Sequence, residues 1–480
     1  MSLPTELVMM IIGWLHKSDK KNVRLVCQDW CVLATPSLFD RIYFSPFPKD
    51  FEVFREWTAT PRCATAVRQL VYDASIIDST VDVPAYAQGL WEYLQDEDLF
   101  EATEQSRFLA LGVEDEEFFK LVDSSSEEPI RHPQSMQRLC KKQIVKEGFH
   151  ACVGQAQQHM ELRLSGELIY HLTHGLELLT NLESVCLEDD DDMQGRELRR
   201  QFRYRHWRGG ADDTDFQPKS PGPMRQSGSP FARSWHPLYL HPSPCSSVVG
   251  AEYYVHESQH PFRLLVASLS LGHRSITSLR ACLNSDHRVP ISMFNVKGNP
   301  ATPLMAQHLF NVFPTLKSLR LDIGSISWND GVEERLKGLQ DCLITIPHLQ
   351  DLHICLKDLS PAASSFRNIF GAPRCIWPLL AEFAAEGMYA SQQDLVGFLT
   401  EQPIRRLDLC RIRITEGSWV PVVDTLRKVI PRIERVGLSD PTGLPFEDRN
   451  QFTRTSPLMQ AVARYITSGG SNPLREQELA

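Results

Sequence analysis

The 480 residues carry a net charge of −10 and are 42% hydrophobic. Such a length holds about two to four units of ordinary domain size without needing covalent staples, and the acidic balance excludes a general nucleic-acid or anionic-membrane binder while allowing local basic surfaces. The twelve cysteines are scattered, with no CxxC and no Cys/His spacing of a structural zinc site, so we expect no metal or other cofactor and a reducing cytoplasmic and/or nuclear compartment.

In chain order, residues 2–44 stand out for their large apolar side chains. The run Leu7–Leu15 has the length of a signal-peptide core, but no Lys or Arg precedes it, Glu6 interrupts the approach and no small-residue cleavage site follows. It is also too short to span a bilayer. Pro4 suits a first helical turn and Glu6 a helix N-terminus. Leu3, Leu7, Ile11 and Leu15 recur at intervals of four, widened by Met10 and Trp14, which predicts an amphipathic helix. His16–Asp19 ends it, with Ser18 or Asp19 capping the next helix. Val23, Val26, Cys27, Trp30 and Leu33 continue the helical spacing until Pro36 closes the segment. About forty residues cannot bury this much apolar surface among themselves, so the module is expected to meet another protein.

"LPTELVMMIIGWL" followed by "VRLVCQDWCVLATPSLF" resembles an F-box: Leu-Pro, Glu-Leu, the apolar positions of the first helix, then Leu-Val-Cys, Trp, Leu-Ala and Leu-Phe. Lys20 departs from the pattern, which usually has an apolar residue there. The resemblance implies docking on the Skp adaptor of an SCF-type cullin–RING ubiquitin ligase. It makes Leu3, Pro4, Leu7, Ile11, Leu15, Leu25, Val26, Cys27 and Trp30 the candidates for the adaptor contact or its immediate support.

From residue 45 to 187 we expect first repeat-like strands and a mainly helical segment. "RIYF" reads as a strand, Phe51–Thr58 as a helix, Val67–Tyr72 as a strand and residues 85–181 as mostly helical. Residues 248–445 repeat a phrase, apolar-x-x-apolar-x-apolar after a helical pattern. It occurs at Leu316/Leu319/Leu321, Leu349/Leu352/Ile354, Ile404/Leu407/Leu409 and Ile433/Val436/Leu438. Weaker copies are Leu182/Val185/Leu187, Val266/Leu269/Leu271, Ile291/Phe294/Val296 and Leu380/Phe383/Ala385. Starts at 266, 291, 316, 349, 380, 404 and 433 are spaced 25, 25, 33, 31, 24 and 29 residues apart, close to the period of leucine-rich repeats. Preceding helical patterns such as "MAQHLFNVF" and "QQDLVGFLTEQ" make chance an inadequate explanation.

The expected architecture is therefore α/β: an N-terminal helical F-box, a helical segment, then an irregular leucine-rich-repeat solenoid with a curved parallel sheet. Alternate strand positions would face a partner, namely Asn295, Lys297, Arg320, Asp322, Asp351, His353, Arg406, Asp408 and Arg435, with Met293 and Ser318 in the same phase. This row is polar and mixed in charge, as suits protein recognition. Such a repeat series after an F-box is similar to many fungal F-box proteins.

Residues 188–247 break the pattern. An acidic "EDDDD" leads into "RRQFRYRHWRGG" and then a Pro/Ser/Gly-rich stretch, which reads as a flexible insertion. Interleaved Arg and aromatic residues are also seen in nucleic-acid binders. Residues 446–480 read as a C-terminal segment with a disordered tail, "SGGSNPLREQELA".

No GxGxxG, P-loop, HExxH, EF-hand loop or GxSxG is present, and His171 with His174 lacks a further ligand nearby, so no catalytic residues are expected. The functional expectation is a non-catalytic substrate-recognition adaptor that joins the Skp adaptor, and through it a cullin–RING ligase, to a target protein. A non-ligase interaction scaffold and a nucleic-acid-associated factor are the alternatives, and no membrane partner is expected.

Overall fold

The computed structural model describes residues 4–15, 17–45, 48–74, 150, 153–154, 157–158, 161–162, 165–188, 260–283, 288–294, 302–324, 332–357, 364–371, 377–429, 433–439 and 457–478. These divide into two compact units. The first comprises Met1–Val67, Val71–His171 and Glu188–Val255, the second Arg68–Leu70, Leu172–Leu187 and His256–Ala480. Much of the helical reading of 85–181, all of the Arg-aromatic stretch, and Leu3, Asn295 and Lys297 lie outside the described residues.

In the first unit, α1 (Thr5–Trp14), α2 (Lys17–Val23) and α3 (Gln28–Phe39) lead into β1 (Arg41–Phe44), α4 (Pro48–Ala59) and the short α5 (Pro61–Ala64), and then β2 (Gln69–Asp73). Helix α2 already starts at Lys17, so Ser18 and Asp19 sit in its first turn rather than capping it. Pro36 does not close α3 either but lies inside it. A proline there removes one backbone bond, and the helix continues because Ala34, Thr35 and Leu38 are buried on its inner face. Behind the helices, Phe44 packs edge-on against Phe54 and Tyr72, with ring centroids 4.7 and 5.0 Å away.

In the second unit, the end of α6 (Glu167–Leu178) precedes β3 (Ser184–Glu188). There follow α7 (Pro261–Leu271), β4 (Ser278–Cys282), β5 (Val289–Pro290), α8 (Thr302–Val312), β6 (Ser318–Gly324), α9 (Val332–Ile344) and β7 (Asp351–Lys357). The short α10 (Phe366–Phe370), β8 (Glu382–Glu386), β9 (Tyr389–Ser391), α11 (Gln392–Glu401), β10 (Arg406–Cys410), β11 (Arg413–Glu416), α12 (Trp419–Val429) and β12 (Arg435–Ser439) complete the alternation before α13 (Pro457–Ser468) and α14 (Pro473–Glu478). The main sheet runs β3-β4-β6-β7-β8-β10-β12, and from β4 to β12 its adjacent strands pair in parallel. The fold is thus mixed helix and parallel sheet.

One backbone device recurs through this unit. At each step a single carbonyl accepts two consecutive amides of the next strand: Arg68 from Glu183 and Ser184, Glu183 from Thr277 and Ser278, Thr277 from Lys317 and Ser318, Lys317 from Gln350 and Asp351. Gln350 then serves Ala381 and Glu382, Ala381 serves Arg405 and Arg406, and Arg405 serves Glu434 and Arg435, all at 2.7–3.3 Å. One residue earlier stands a buried aliphatic anchor: Leu182, Ile276, Leu316, Leu349, Leu380, Ile404 or Ile433.

This register corrects two readings. The copy at Val266 is helix α7, because Pro261 sits in its first turn, His260 Nδ1 accepts the Phe262 amide at 3.1 Å, and Phe262, Leu265, Val266 and Leu269 recur at helical spacing. The copy at Ile291 is a 3-10 turn, Ile291–Phe294, with Met293 buried rather than facing outward. The strand that belongs between β3 and β6 is instead β4, with Ile276, Leu279 and Ala281 inward.

Two strands also share a sharp exit. Gly387 (φ +71°) after β8 and Arg411 (φ +51°) after β10 both adopt the left-handed region, and the chain then forms the short parallel pair β9–β11. At Gly387 a β-carbon would lie 1.9 Å from the Leu356 carbonyl oxygen. Ser391 caps α11 by accepting the Asp394 amide at 3.0 Å.

Within the tail expected to be disordered, "SGGSNPLREQELA", Pro473–Glu478 is helical, and it follows the helix Pro457–Ser468. Asp424 of α12, buried, accepts from Tyr465 (2.7 Å), Asn472 (2.8 Å) and Arg475. Burial disfavours the Asp424 charge, yet these hydrogen bonds and the Arg475 guanidinium together hold its pKa below the ordinary carboxylate value.

Two outcomes follow for stability. Gly387→Ala is expected to cost about 2 kcal/mol, read from a urea transition, because the backbone conformation and the Leu356 carbonyl both oppose a side chain. Asp424→Ala is expected to cost about 2 kcal/mol at neutral pH. A depressed folded pKa means that this contribution is full above the unfolded carboxyl value near ~4 and is lost as pH falls through the folded value. Acid titration of the wild-type and variant transitions should therefore converge at low pH.

Candidate functional site

Helix α1 carries two apolar stripes that point different ways. Val8 and Ile12 turn inward and form a small core with Ala34, against which Val23, Trp30 and Leu33 are packed. Leu7, Met10, Ile11 and Trp14, spaced i, i+3, i+4 and i+7, turn outward and are exposed, Trp14 by 77%. A helix of ten residues is marginal alone. The inner stripe positions it, and the outer one then presents a continuous apolar surface.

The turn between α2 and α3 exposes further aliphatic side chains in the same unit. Leu25 and Val26 are exposed, Leu25 by 85%, although their amides are tied back to Asn22 and Val23 at 2.9 and 3.1 Å. The turn is thus held by its own backbone while its aliphatic side chains face solvent. Cys27 follows in extended conformation at the head of α3, exposed, with its carbonyl accepting the Cys31 amide at 2.9 Å.

Of the nine residues predicted for this contact, Pro4, Leu7, Ile11, Leu25, Val26 and Cys27 are exposed, and Leu15 and Trp30 are half-buried. Trp30 packs on the small core, so it supports the surface from behind. The sequence stripe of Leu7, Met10, Ile11 and Trp14 is the outward one, whereas Val8 and Ile12, which the spacing did not single out, form the inward one. Lys20 is half-buried and lies with Lys21 in the last turn of α2, where a cation meets the negative end of the helix dipole.

The second candidate surface is the polar face of the main sheet. Its register aligns three rows. The first holds Ser278, Ser318, Asp351, Glu382, Arg406 and Arg435, and the second Arg280, Arg320, His353, Ala384, Asp408 and Gly437. The third runs through Asp322, Cys355, Glu386, Cys410 and Ser439. Arg320, Asp351, His353, Arg406, Asp408 and Arg435 therefore share one face, partly or fully exposed. Asp322 differs from expectation: it is buried, near Cys282, whose thiol burial, with the Asp322 charge adding to it, pushes up to about 12. Asp351 accepts the Ser318 hydroxyl at 2.8 Å. Burial raises its pKa, opposed by that hydrogen bond and reinforced by Glu382.

No catalytic grouping emerges from the histidines noted in the sequence. His171 meets Phe51 edge-on, with centroids 5.2 Å apart, and His174 Nδ1 lies 3.4 Å from Glu177 Oε2. Among the described residues, no cluster of three or more His, Cys, Asp or Glu could hold a metal ion, and no helix is long and apolar enough to cross a membrane.

Comparison with known families gives one match, the F-box-like family, over residues 1–45. That interval contains α1, α2, α3 and the exposed apolar face. No curated protein matches the chain. The N-terminal helices are thus an F-box-like domain, and a Skp adaptor is the partner that this class of domain supports.

The thiols offer a direct check on exposure. Cys27 should be alkylated readily by iodoacetamide in the folded protein. Cys282 and Cys342, buried and each pushed up to about 12 mainly by burial, should react only after unfolding. Peptide mass spectrometry of a timed reaction reads each site separately.

Proposed function

We propose that the chain is a substrate-recognition subunit of an SCF-type cullin–RING ubiquitin ligase. In this reading the N-terminal helices bind the Skp adaptor and the strand–helix units, an irregular leucine-rich-repeat array, hold a target protein on their polar sheet face. The subunit itself does no chemistry. It raises the effective concentration of the target beside the catalytic components.

The observation that carries the reading is the outward stripe of α1, together with exposed Leu25 and Val26, inside the F-box-like segment. Burying a large aliphatic or aromatic side chain is worth about 1.5–3 kcal/mol, and a few such anchors dominate most interfaces. The regular register of the sheet supports the second half of the proposal. Polar side chains of successive strands stand side by side on that face, several of them partly or fully exposed.

Co-purification with the Skp adaptor tests the docking. Leu7→Asp and Trp14→Ala alter exposed positions, so they should leave the unfolding midpoint unchanged and reduce capture by more than about tenfold. Trp30→Ala, by contrast, should lower stability as well as capture. Undiminished capture by both exposed-face variants would refute the assignment. Capture without any accompanying cullin would point instead to an adaptor-bound scaffold outside the ligase.

A further inference from the structure

We propose that His308 is an acid-sensitive latch between α7 and α8: its neutral imidazole keeps the two helices packed, and protonation lets α8 open locally. The proposal is independent of which protein the sheet face holds. The two helices pack together, and Asn311 Nδ2 of α8 donates to Ser270 Oγ of α7 at 2.9 Å. One turn before Asn311, His308 is buried, with Met305, Leu309 and Val312 buried beside it on the same helix. On α7, Leu265, Val266, Ala267, Ser268 and Leu269 are buried in turn.

This place accepts a neutral imidazole and resists a charged one. His308 Nδ1 is shut off from solvent and meets no hydrogen-bond partner among the described residues. With the ring proton on Nε2, Nδ1 is only an idle acceptor. Protonation turns it into a buried donor with nothing to accept from it, and adds a charge that burial disfavours. That charge also stands beside the Arg263 guanidinium of α7. Burial first, and Arg263 second, hold the imidazole pKa below its ordinary value.

No described side chain packed against α8 offsets this. Beyond Arg263, α7 carries no charged residue, nor do α8 itself and the 3-10 turns Ile291–Phe294 and Phe313–Thr315. On α9, Lys337 is exposed and Asp341 acts on the buried Cys342 thiol; neither bears on His308. The other histidine of the pair, His260, caps α7 at the end away from Ser270, its Nδ1 accepting the Phe262 amide.

A depressed folded pKa means that the latch is fully stabilising above the unfolded imidazole value of about 6.5. Its contribution is lost as pH falls from there towards the folded value. Helix α8 runs through Phe313–Thr315 into Leu316, the buried anchor of β6, and β6 lies between β4 and β7. Mild acid thereby acts on the sheet from its helical side.

Backbone hydrogen exchange of the full-length protein, corrected for intrinsic rates, tests this in peptides covering Met305–Val312 from about pH 7.5 to about pH 5.5. Opening of α8 should rise by up to about tenfold per pH unit below about 6.5, the limit set by one linked proton. His308→Leu should abolish the rise and keep opening at neutral pH within about threefold of wild type. Should that variant fail to fold, His308→Gln takes its place. A rise that persists without the imidazole overturns the proposal, as does one that disappears only in His260→Gln. Exchange of the carbon-bound imidazole hydrogen, read by mass spectrometry, follows the His308 titration in the unaltered protein. A midpoint below about 6.5 is expected, and a midpoint at or above it also overturns the proposal.

Discussion

The second unit hangs on a bifurcated backbone contact made once per strand, in which one carbonyl accepts two consecutive amides of the following strand. It recurs seven times among the described residues, from the carbonyl of Arg68 to that of Arg405. A buried peptide group without a partner costs about 1–3 kcal/mol, so a segment arriving out of phase by one residue loses two bonds and turns its aliphatic anchor outward. The contact is blind to side chains. This explains how connections as different as the long one between β3 and β4 and the short one between β8 and β10 feed the same parallel register.

Once that phase is set, side chains sort themselves. Leu319, Leu352, Phe383 and Leu407 stack inward from consecutive strands. Phe366, Phe370, Trp377 and Phe398 gather around Phe383, with centroids 4.7–6.5 Å apart, and seal the helical side. The polar face is then a by-product of alternation. What distinguishes it is the chemistry that each strand places there.

Much of this order could be read in the chain. The four strong copies of the repeated phrase, and the weaker ones at Leu182 and Leu380, are strands in the expected phase. The failures have local causes. At Val266 the same spacing falls on a helix, in which Val266 and Leu269 are buried with Phe262 and Leu265 while Leu271 is exposed. At β4 the third apolar position is Ala281, too small to announce itself. The C-terminal tail looked unstructured because its Gly-Gly and Asn residues favour turns. Its order comes from Asp424, roughly fifty residues upstream, through hydrogen bonds that no local pattern encodes. In the F-box-like segment the outward residues were legible as apolar, but only the packing of Val8 and Ile12 on Ala34 decides which stripe is left outside.

That division of α1 has a thermodynamic consequence. A core of Val8, Ile12 and Ala34 gives the three helices little stability of their own, whereas their outer surface becomes favourable only when covered. Binding that selects the folded helices stabilises them by RT ln(1 + [L]/Kd). In the proposed complex the order of this segment would be linked by mass action to the supply of the Skp adaptor, and an uncovered stripe of this kind would favour self-association. Partner abundance would in this way regulate how much of the protein persists, as well as what it is attached to.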